Sequence, residues 1–158
     1  MELLPFFQWC YATPVGETIR NSAWLFPVLE AFHLLGLGVT AGTVLLIDLR
    51  LLGVLLRKEE VAGLARSAEP FLIGAVTVMF LTGMPLFLSE SIKCLYSFAF
   101  WVKMTSLVLA LLLAFTVRHR MTLGDAAAKR PALARWVASL SLILWFGVAW
   151  GGRWIGFS

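Results

Sequence analysis

Four ionisable residues lie within long apolar segments of this sequence, where a membrane or an apolar core would surround them. They are Glu30, His33, Asp48 and Lys103. A charged side chain at the centre of a membrane-spanning helix costs about 3 kcal/mol unless it is paired or hydrated, so each residue is a functional hypothesis by default. An imidazole can bind a metal ion or accept a proton, whereas a carboxylate or an ammonium group can form an ion pair or carry a proton.

Several of these side chains share a depth when they are counted from the ends of their apolar segments at a rise of about 1.5 Å per residue. Glu30 and His33 lie about 9 and 13 Å below Trp24, Lys103 and Met104 about 10 and 12 Å below Tyr96, and Met84 about 7 Å below Ser89. A pair between Glu30 and Lys103 would relieve both charges. His33 would then lie beside Met84 and Met104, which are borderline and soft metal ligands facing a common cavity.

Structural interpretations of the same residues stay open. A histidine in a membrane can simply form a hydrogen bond to a neighbouring helix, methionines fill cores, and Lys103 can extend its ammonium group outward. Asp48 lies about 22 Å further along the first helix than His33, next to Arg50. For Asp48 and Arg50 we favour an anchor that fixes the depth of the helix, and the functional alternative is a cytoplasmic gate.

The elements that position these residues follow from composition. Hydrophobic residues make up 60% of the 158 residues and charged ones 14%, with a mean hydropathy of +0.87, which is typical of a membrane protein. We predict an all-α membrane protein, a four-transmembrane-helix bundle forming a single domain over residues 1–158. The predicted helices cover about residues 22–56, 70–88, 96–118 and 132–155, with a kink near Pro85 and a tight turn at Ser89–Leu95. Residues 1–20 are predicted as a retained interfacial segment, and Gly38 with Gly42 predicts close helix packing.

The distribution of Lys and Arg predicts the topology. Nine of the 13 fall at or beside the connections between helices 1 and 2 and between helices 3 and 4. By the positive-inside rule, this predicts a bacterial inner-membrane protein with both termini periplasmic. The net charge of +4 is then topological, and no nucleic-acid partner is expected. Cys10 and Cys94 would lie on the oxidising side, where either a disulfide or two unpaired buried thiols are compatible with the sequence.

The string PVLEAFHLLGLGVTAGTVLLIDLRLLG at residues 27–53 resembles the first helix of a family of small bacterial inner-membrane proteins of unknown activity. The family has a Glu-x-x-His pair followed by glycines and an Asp-Leu-Arg-Leu-Leu-Gly end, and the upstream string WCYATPVGETIRNSAWLFP fits it as well. More distantly, the histidine followed by glycines is similar to the membrane domain of copper-resistance D proteins, although this chain lacks the additional intramembrane histidines of many such domains. That resemblance implies copper transfer across the inner membrane.

Three functions follow as expectations. The first is metal handling, with copper bound by His33 and Met84 or Met104 and delivered by a periplasmic metal-binding or redox partner. The second is electron transfer with haem b, held by His33 and a methionine or by two copies of His33 in a homo-oligomer. The third is an accessory or small-solute transport subunit in which Glu30, His33 and Lys103 form a proton-linked polar site. The sequence carries no hydrolytic motif, so a non-enzymatic role in the lipid bilayer is favoured.

Overall fold

Helices make up the computed structural model, which describes residues 3–122 and 126–156. The elements run in chain order as α1 Leu4–Tyr11, α2 Pro14–Asn21, α3 Leu25–Leu51, α4 Val61–Tyr96, α5 Phe98–Leu113, a π-helical segment Ala114–Arg118, α6 His119–Thr122, α7 Ala126–Lys129 and α8 Pro131–Ile155. No strand occurs within the described ranges.

Four of these helices are long and apolar enough to cross a bilayer: Leu25–Leu51, Val61–Tyr96, Phe98–Thr122 and Pro131–Ile155. Large apolar side chains such as Phe71, Phe80, Trp136 and Phe146 are exposed on the outer surface of the bundle, where lipid would cover them. The protein is therefore a multi-pass membrane protein, and the predicted all-α four-helix bundle is confirmed.

The two ends of the bundle differ. At the leader end lie α1 and α2, which we call the leader, together with the α4–α5 connection and the C-terminus of α8. At the loop end lie residues 52–60 and α6 and α7. Along α3 the chain runs from the leader end to the loop end, so depth in the bundle can be counted in residues of this helix.

Close contacts between helices form at glycines, because glycine has no side chain to separate the backbones. A Cβ atom at Gly36 would lie 2.9 Å from Met79 Cγ, and one at Gly151 would lie 2.8 Å from the Ala99 carbonyl oxygen. Gly38 and Gly42 have no atom within 4 Å of such a Cβ, so the predicted packing role of this pair was wrong. Gly36, on the buried side of α3, makes the contact with α4 instead.

The second membrane-spanning helix is longer than the sequence indicated, at 61–96 instead of about 70–88. The segment expected as a tight turn, Ser89–Leu95, is mostly helical, with one non-helical residue at Glu90. Pro85 lies five residues before this break, in agreement with the expected kink region. The other spans lie within about five residues of their predicted ends, and α8 begins at Pro131, a residue suited to the first turn of a helix.

The leader packs on the kinked part of α4. Arg20 donates hydrogen bonds to the carbonyl oxygens of Ser89 at 3.1 Å and Tyr11 at 2.8 Å, and the Ser91 hydroxyl donates to the Phe7 carbonyl oxygen at 3.0 Å. Two of these carbonyl groups, that of Ser89 beside the break in α4 and that of Tyr11 at the end of α1, lie where a helix leaves carbonyls without internal partners. The predicted interfacial segment is thus two short helices fixed to the bundle.

Both cysteines are buried free thiols. Cys10 lies on α1, and burial raises the pKa of its thiol, which keeps it protonated at neutral pH. Cys94 lies near the end of α4. Of the two alternatives that the sequence left open, the structure has the unpaired thiols.

Candidate functional site

Residues from all four spans meet at the level of His33, and we call this group the His33 layer. His33 lies on α3, with its ring against Gly83 of α4, where a Cβ atom would come within 2.9 Å of the ring carbon Cε1. Lys103 lies on α5, with its stem along the paired glycines of α8: a Cβ atom at Gly151 would lie 2.9 Å from Lys103 Cβ, and one at Gly152 would lie 3.7 Å from Nζ. Glycine thus makes room for each functional side chain on the facing helix.

The hydrogen bonds of His33 determine its tautomer. His33 Nδ1 lies 3.0 Å from the Thr82 hydroxyl oxygen. That hydroxyl donates its single proton to the Val78 carbonyl oxygen at 2.7 Å, so it must accept from Nδ1. The Met79 carbonyl, which can only accept, also faces the ring. Nδ1 therefore carries the proton in the neutral ring, and Nε2 keeps a lone pair for a proton or a ligand.

Lys103 supplies positive charge to this layer. Its ammonium group is close enough to interact electrostatically with the His33 imidazole and the Cys94 thiol. In the part of the chain that the structure describes, no carboxylate forms an ion pair with Lys103. The expected Glu30–Lys103 pair is absent because Glu30 is exposed on the surface of α3.

The methionines predicted from the sequence lie at the surface of the bundle. Met84 is 53% exposed and Met104 is 38% exposed, so the structure does not gather them with His33 in a closed cavity. The buried methionine near this layer is Met79, whose thioether sulfur accepts a hydrogen bond from the Thr40 hydroxyl at 3.6 Å. Met79 was not singled out in the sequence analysis. Met79 lies three residues before Thr82 on α4, so the two side chains share one face of that helix.

A second polar group lies about 22 Å further along α3, and we call it the Asp48 layer. Arg118 Nη1 lies 3.5 Å from Asp48 Oδ1, and the two side chains are 4% and 0% exposed. The hydroxyl of Ser141, on α8, faces the same carboxyl group. Asp48 Oδ2 is buried and has no hydrogen-bond partner among the described residues. This layer therefore joins α3, the π-helical segment and α8.

Asp48 and Arg50, which the sequence analysis interpreted as an anchor for the helix, bind different groups. Arg50, its near neighbour, turns to the connecting loop and donates two hydrogen bonds to the Glu59 carbonyl oxygen, at 2.9 and 2.7 Å. Arg118, which sequence reasoning counted among the residues of a cytoplasmic connection, turns inward to the carboxylate. Asp48 thus links helices instead of only fixing the depth of one.

A third polar pair, Glu69 and His119, lies at the loop end beside Arg118 of the Asp48 layer. His119 Nδ1 is 3.6 Å from Glu69 Oε1, and both side chains are partly exposed. A small cavity of about 30 Å³ is lined by Glu69, Arg118 and His119, and also by Ile47, the neighbour of Asp48 in α3. That volume has room for one or two water molecules.

Metal and haem ligation can be compared with this geometry. Among the described residues, no group of three or more His, Cys, Asp and Glu side chains is arranged to hold a metal ion. His33 and His119 contact α4 at Thr82 and Glu69, which are 13 residues and therefore about 20 Å apart. The two histidines of one chain cannot share an iron atom.

The chain belongs to the family of unknown function DUF6644, whose model matches residues 6–158. Neither the curated proteins nor the solved structures gave a match to it. The match covers most of the leader and all four spans.

Proposed function

We propose that this member of the DUF6644 family is a proton-linked membrane carrier, or a carrier subunit, for a small anion that binds in the His33 layer. The observation that carries the proposal is the Lys103 ammonium group, which lies between membrane-spanning helices without a carboxylate partner among the described residues. A charge in this environment costs about 3 kcal/mol unless it is compensated. A bound anion would supply the missing negative charge.

His33 provides the proton linkage. Its Nε2 lone pair can take up a proton, because the Thr82 hydroxyl accepts the other ring proton from Nδ1. The imidazolium so formed would add a second positive charge beside Lys103. Anion binding and proton binding would therefore favour each other, which is the requirement for moving them together.

The charges at the loop end indicate the orientation. Arg57, Lys58, Arg120, Lys129 and Arg130 all lie at or beside the loop-end connections. We propose that this end is cytoplasmic, by the positive-inside rule, and that the protein lies in a bacterial inner membrane with both termini periplasmic. The His33 layer would then be reached from the periplasmic side.

Uptake into proteoliposomes tests the proposal. The full chain is reconstituted, the outside is made acidic, and accumulation of radiolabelled succinate and of inorganic phosphate is followed in separate assays. We expect uptake of at least one probe to depend on the pH gradient and to fall at least about tenfold in Lys103→Met, since one well-placed charge commonly contributes that much. Lys93→Met, at an exposed position on α4, is the matched control and should retain uptake.

Two results would overturn the proposal. One is the absence of gradient-dependent uptake of both probes by well-folded protein. The other is equal uptake by the wild type and Lys103→Met, because the charge would then have no part in binding.

Copper handling is a second candidate, and two side chains near the same level of the bundle favour it. Nε2 of His33 is an available borderline ligand, and the buried sulfur of Met79 is a soft one nearby on α4. Dialysis against Cu(I) tests it: if copper binds here, His33→Gln and Met79→Leu should lose the metal while Met84→Leu and Lys103→Met retain it. Absence of stoichiometric copper in the wild type would remove this candidate, and a Soret band would instead indicate haem held by two copies of His33.

A further inference from the structure

We propose that the Asp48 layer is a proton-binding site supplied from the loop end through Glu69, His119 and the small cavity between them and Arg118. The site takes a proton that water delivers, and it requires no anion at Lys103. It therefore goes beyond the proposed carrier function and can be tested without any transported solute.

The carboxyl group of Asp48 has a free acceptor. Its Oδ1 faces Arg118 at 3.5 Å, which is longer than the 2.7–2.9 Å common for a hydrogen bond between charged groups. Its Oδ2 is fully buried and has no partner among the described residues. A buried acceptor without a donor is costly, and an O–H bond formed at Oδ2 would remove the negative charge that causes the cost.

The route to this oxygen begins at a partly exposed pair. Glu69 and His119 lie 3.6 Å apart and are both open enough to exchange protons with water. The cavity of about 30 Å³ is lined by both members of this pair and also by Arg118, the ion-pair partner of Asp48, and by Ile47. One or two water molecules there would carry a proton from the imidazole or carboxyl group toward Oδ2, and the same proton would return by the reverse path.

An apolar cluster closes the route on the side of the His33 layer. It consists of five buried residues: Val44, Leu72, Ala110, Trp145 and Val148. Val44 lies one helical turn from Asp48 in that direction. Protons can therefore reach Asp48 from the loop end without reaching His33, and the two layers remain separate in this conformation.

Each helical element that packs around Asp48 contributes at most one charged group near it. Arg118 comes from the π-helical segment, Glu69 from α4 and His119 from α6, whereas α8 contributes only the uncharged Ser141. Arg50, on α3 itself, is held by the Glu59 carbonyl oxygen. A proton on Asp48 would leave Arg118 without its counter-charge and so loosen the link between α3 and the π-helical segment.

Infrared difference spectroscopy of the full chain in lipid, titrated with acid, tests the proposal. We expect the carbonyl stretch of a protonated buried carboxyl group to grow as the pH falls, and to be lost in the double variant Asp48→Asn with Arg118→Gln. The double variant is used because replacing both members of a buried ion pair leaves no unpaired charge and so preserves folding. Glu59→Gln, at an exposed loop position, is the control and should keep the band.

The route is tested by the rate at which the band appears after an acid jump. Glu69→Gln removes the first carrier, and Ala65→Leu fills the cavity that Ala65 lines. Both should keep the band at equilibrium and slow its appearance. An unchanged band in the double variant would overturn the site, and unchanged rates in both single variants would overturn the route.

Discussion

The His33 layer and the Asp48 layer both place ionisable side chains among membrane-spanning helices, yet they balance charge in different ways. In the Asp48 layer, a fully buried carboxylate faces a buried guanidinium group at 3.5 Å. In the His33 layer, a lysine and a histidine lie together with no carboxylate paired to the lysine in the described ranges. In the Asp48 layer the two charges balance each other within the protein. The His33 layer lacks a negative charge, which a ligand could supply.

This difference indicates a division of roles. A buried ion pair links helices and responds to the loss or gain of a proton, because neutralising one member leaves the charge of the other member without a counter-charge. An unpaired charge in a glycine-lined space favours a mobile ligand, since its cost is relieved only when the ligand is present.

The largest effect is expected from removing one partner of the buried pair. Arg118→Met leaves Asp48 buried without a counter-charge and should lower the free energy of unfolding by about 3–5 kcal/mol. Denaturation in mixed detergent micelles measures it. Arg120→Met, two residues away at an exposed position, should change little. Equal stability of the two variants would mean that Asp48 is already neutral in the folded protein.

The orientation of Arg118 explains why the sequence did not reveal this pair. Ala110, Ala114 and Arg118 are all buried. Each four-residue step overshoots an α-helical turn by about 40°, so in a regular helix this row would drift away from the core. The π-helical segment at Ala114–Arg118 is wider per turn and cancels the drift. No residue pattern in the sequence marks that segment, and Arg118 was therefore assigned to a solvated connection.

The close contact of α5 with α8 should give the next largest effect. Gly151→Leu places a side chain where even a Cβ atom would lie 2.8 Å from the Ala99 carbonyl oxygen, and should cost about 1–3 kcal/mol of unfolding free energy and displace Lys103. Gly38→Leu, where no atom lies within 4 Å, is the matched control and should not destabilise the protein. A greater loss from Gly38→Leu would contradict the packing described here.

His33 and Lys103 were recognisable from the sequence because ionisable residues are rare in apolar helices and because depth can be counted along a helix. The residues that contact them could not be recognised, because the rotation of each helix about its axis depends on packing along the whole helix. Glu30 illustrates this limit: it lies one turn from His33 on α3, but the bundle leaves it exposed. Met79 was overlooked in favour of Met84 and Met104 for the same reason.

A smaller effect is expected from the hydrogen bond that orients His33. Thr82→Val removes the acceptor of Nδ1 and should cost about 0.5–1.5 kcal/mol of unfolding free energy. Thr77→Val is the control, because Thr77 also bonds to a carbonyl of its own helix, at 2.8 Å, but is exposed. If the tautomer argument is right, Thr82→Val should also weaken the pH dependence of anion uptake, and Thr77→Val should not. Identical pH profiles would contradict a role for Thr82 in orienting the ring.

The most direct test of the central claim is to observe the Lys103 ammonium group while an anion is added. The chain has four lysines, Lys58, Lys93, Lys103 and Lys129, so protein labelled with ¹⁵N-lysine in nanodiscs should give few side-chain signals, and Lys103→Met assigns the one of interest. We predict that succinate or inorganic phosphate shifts this signal in a saturable manner and that the Glu30→Gln variant behaves like the wild type. A Lys103 signal that does not respond to either anion, while the protein remains folded, would contradict the account.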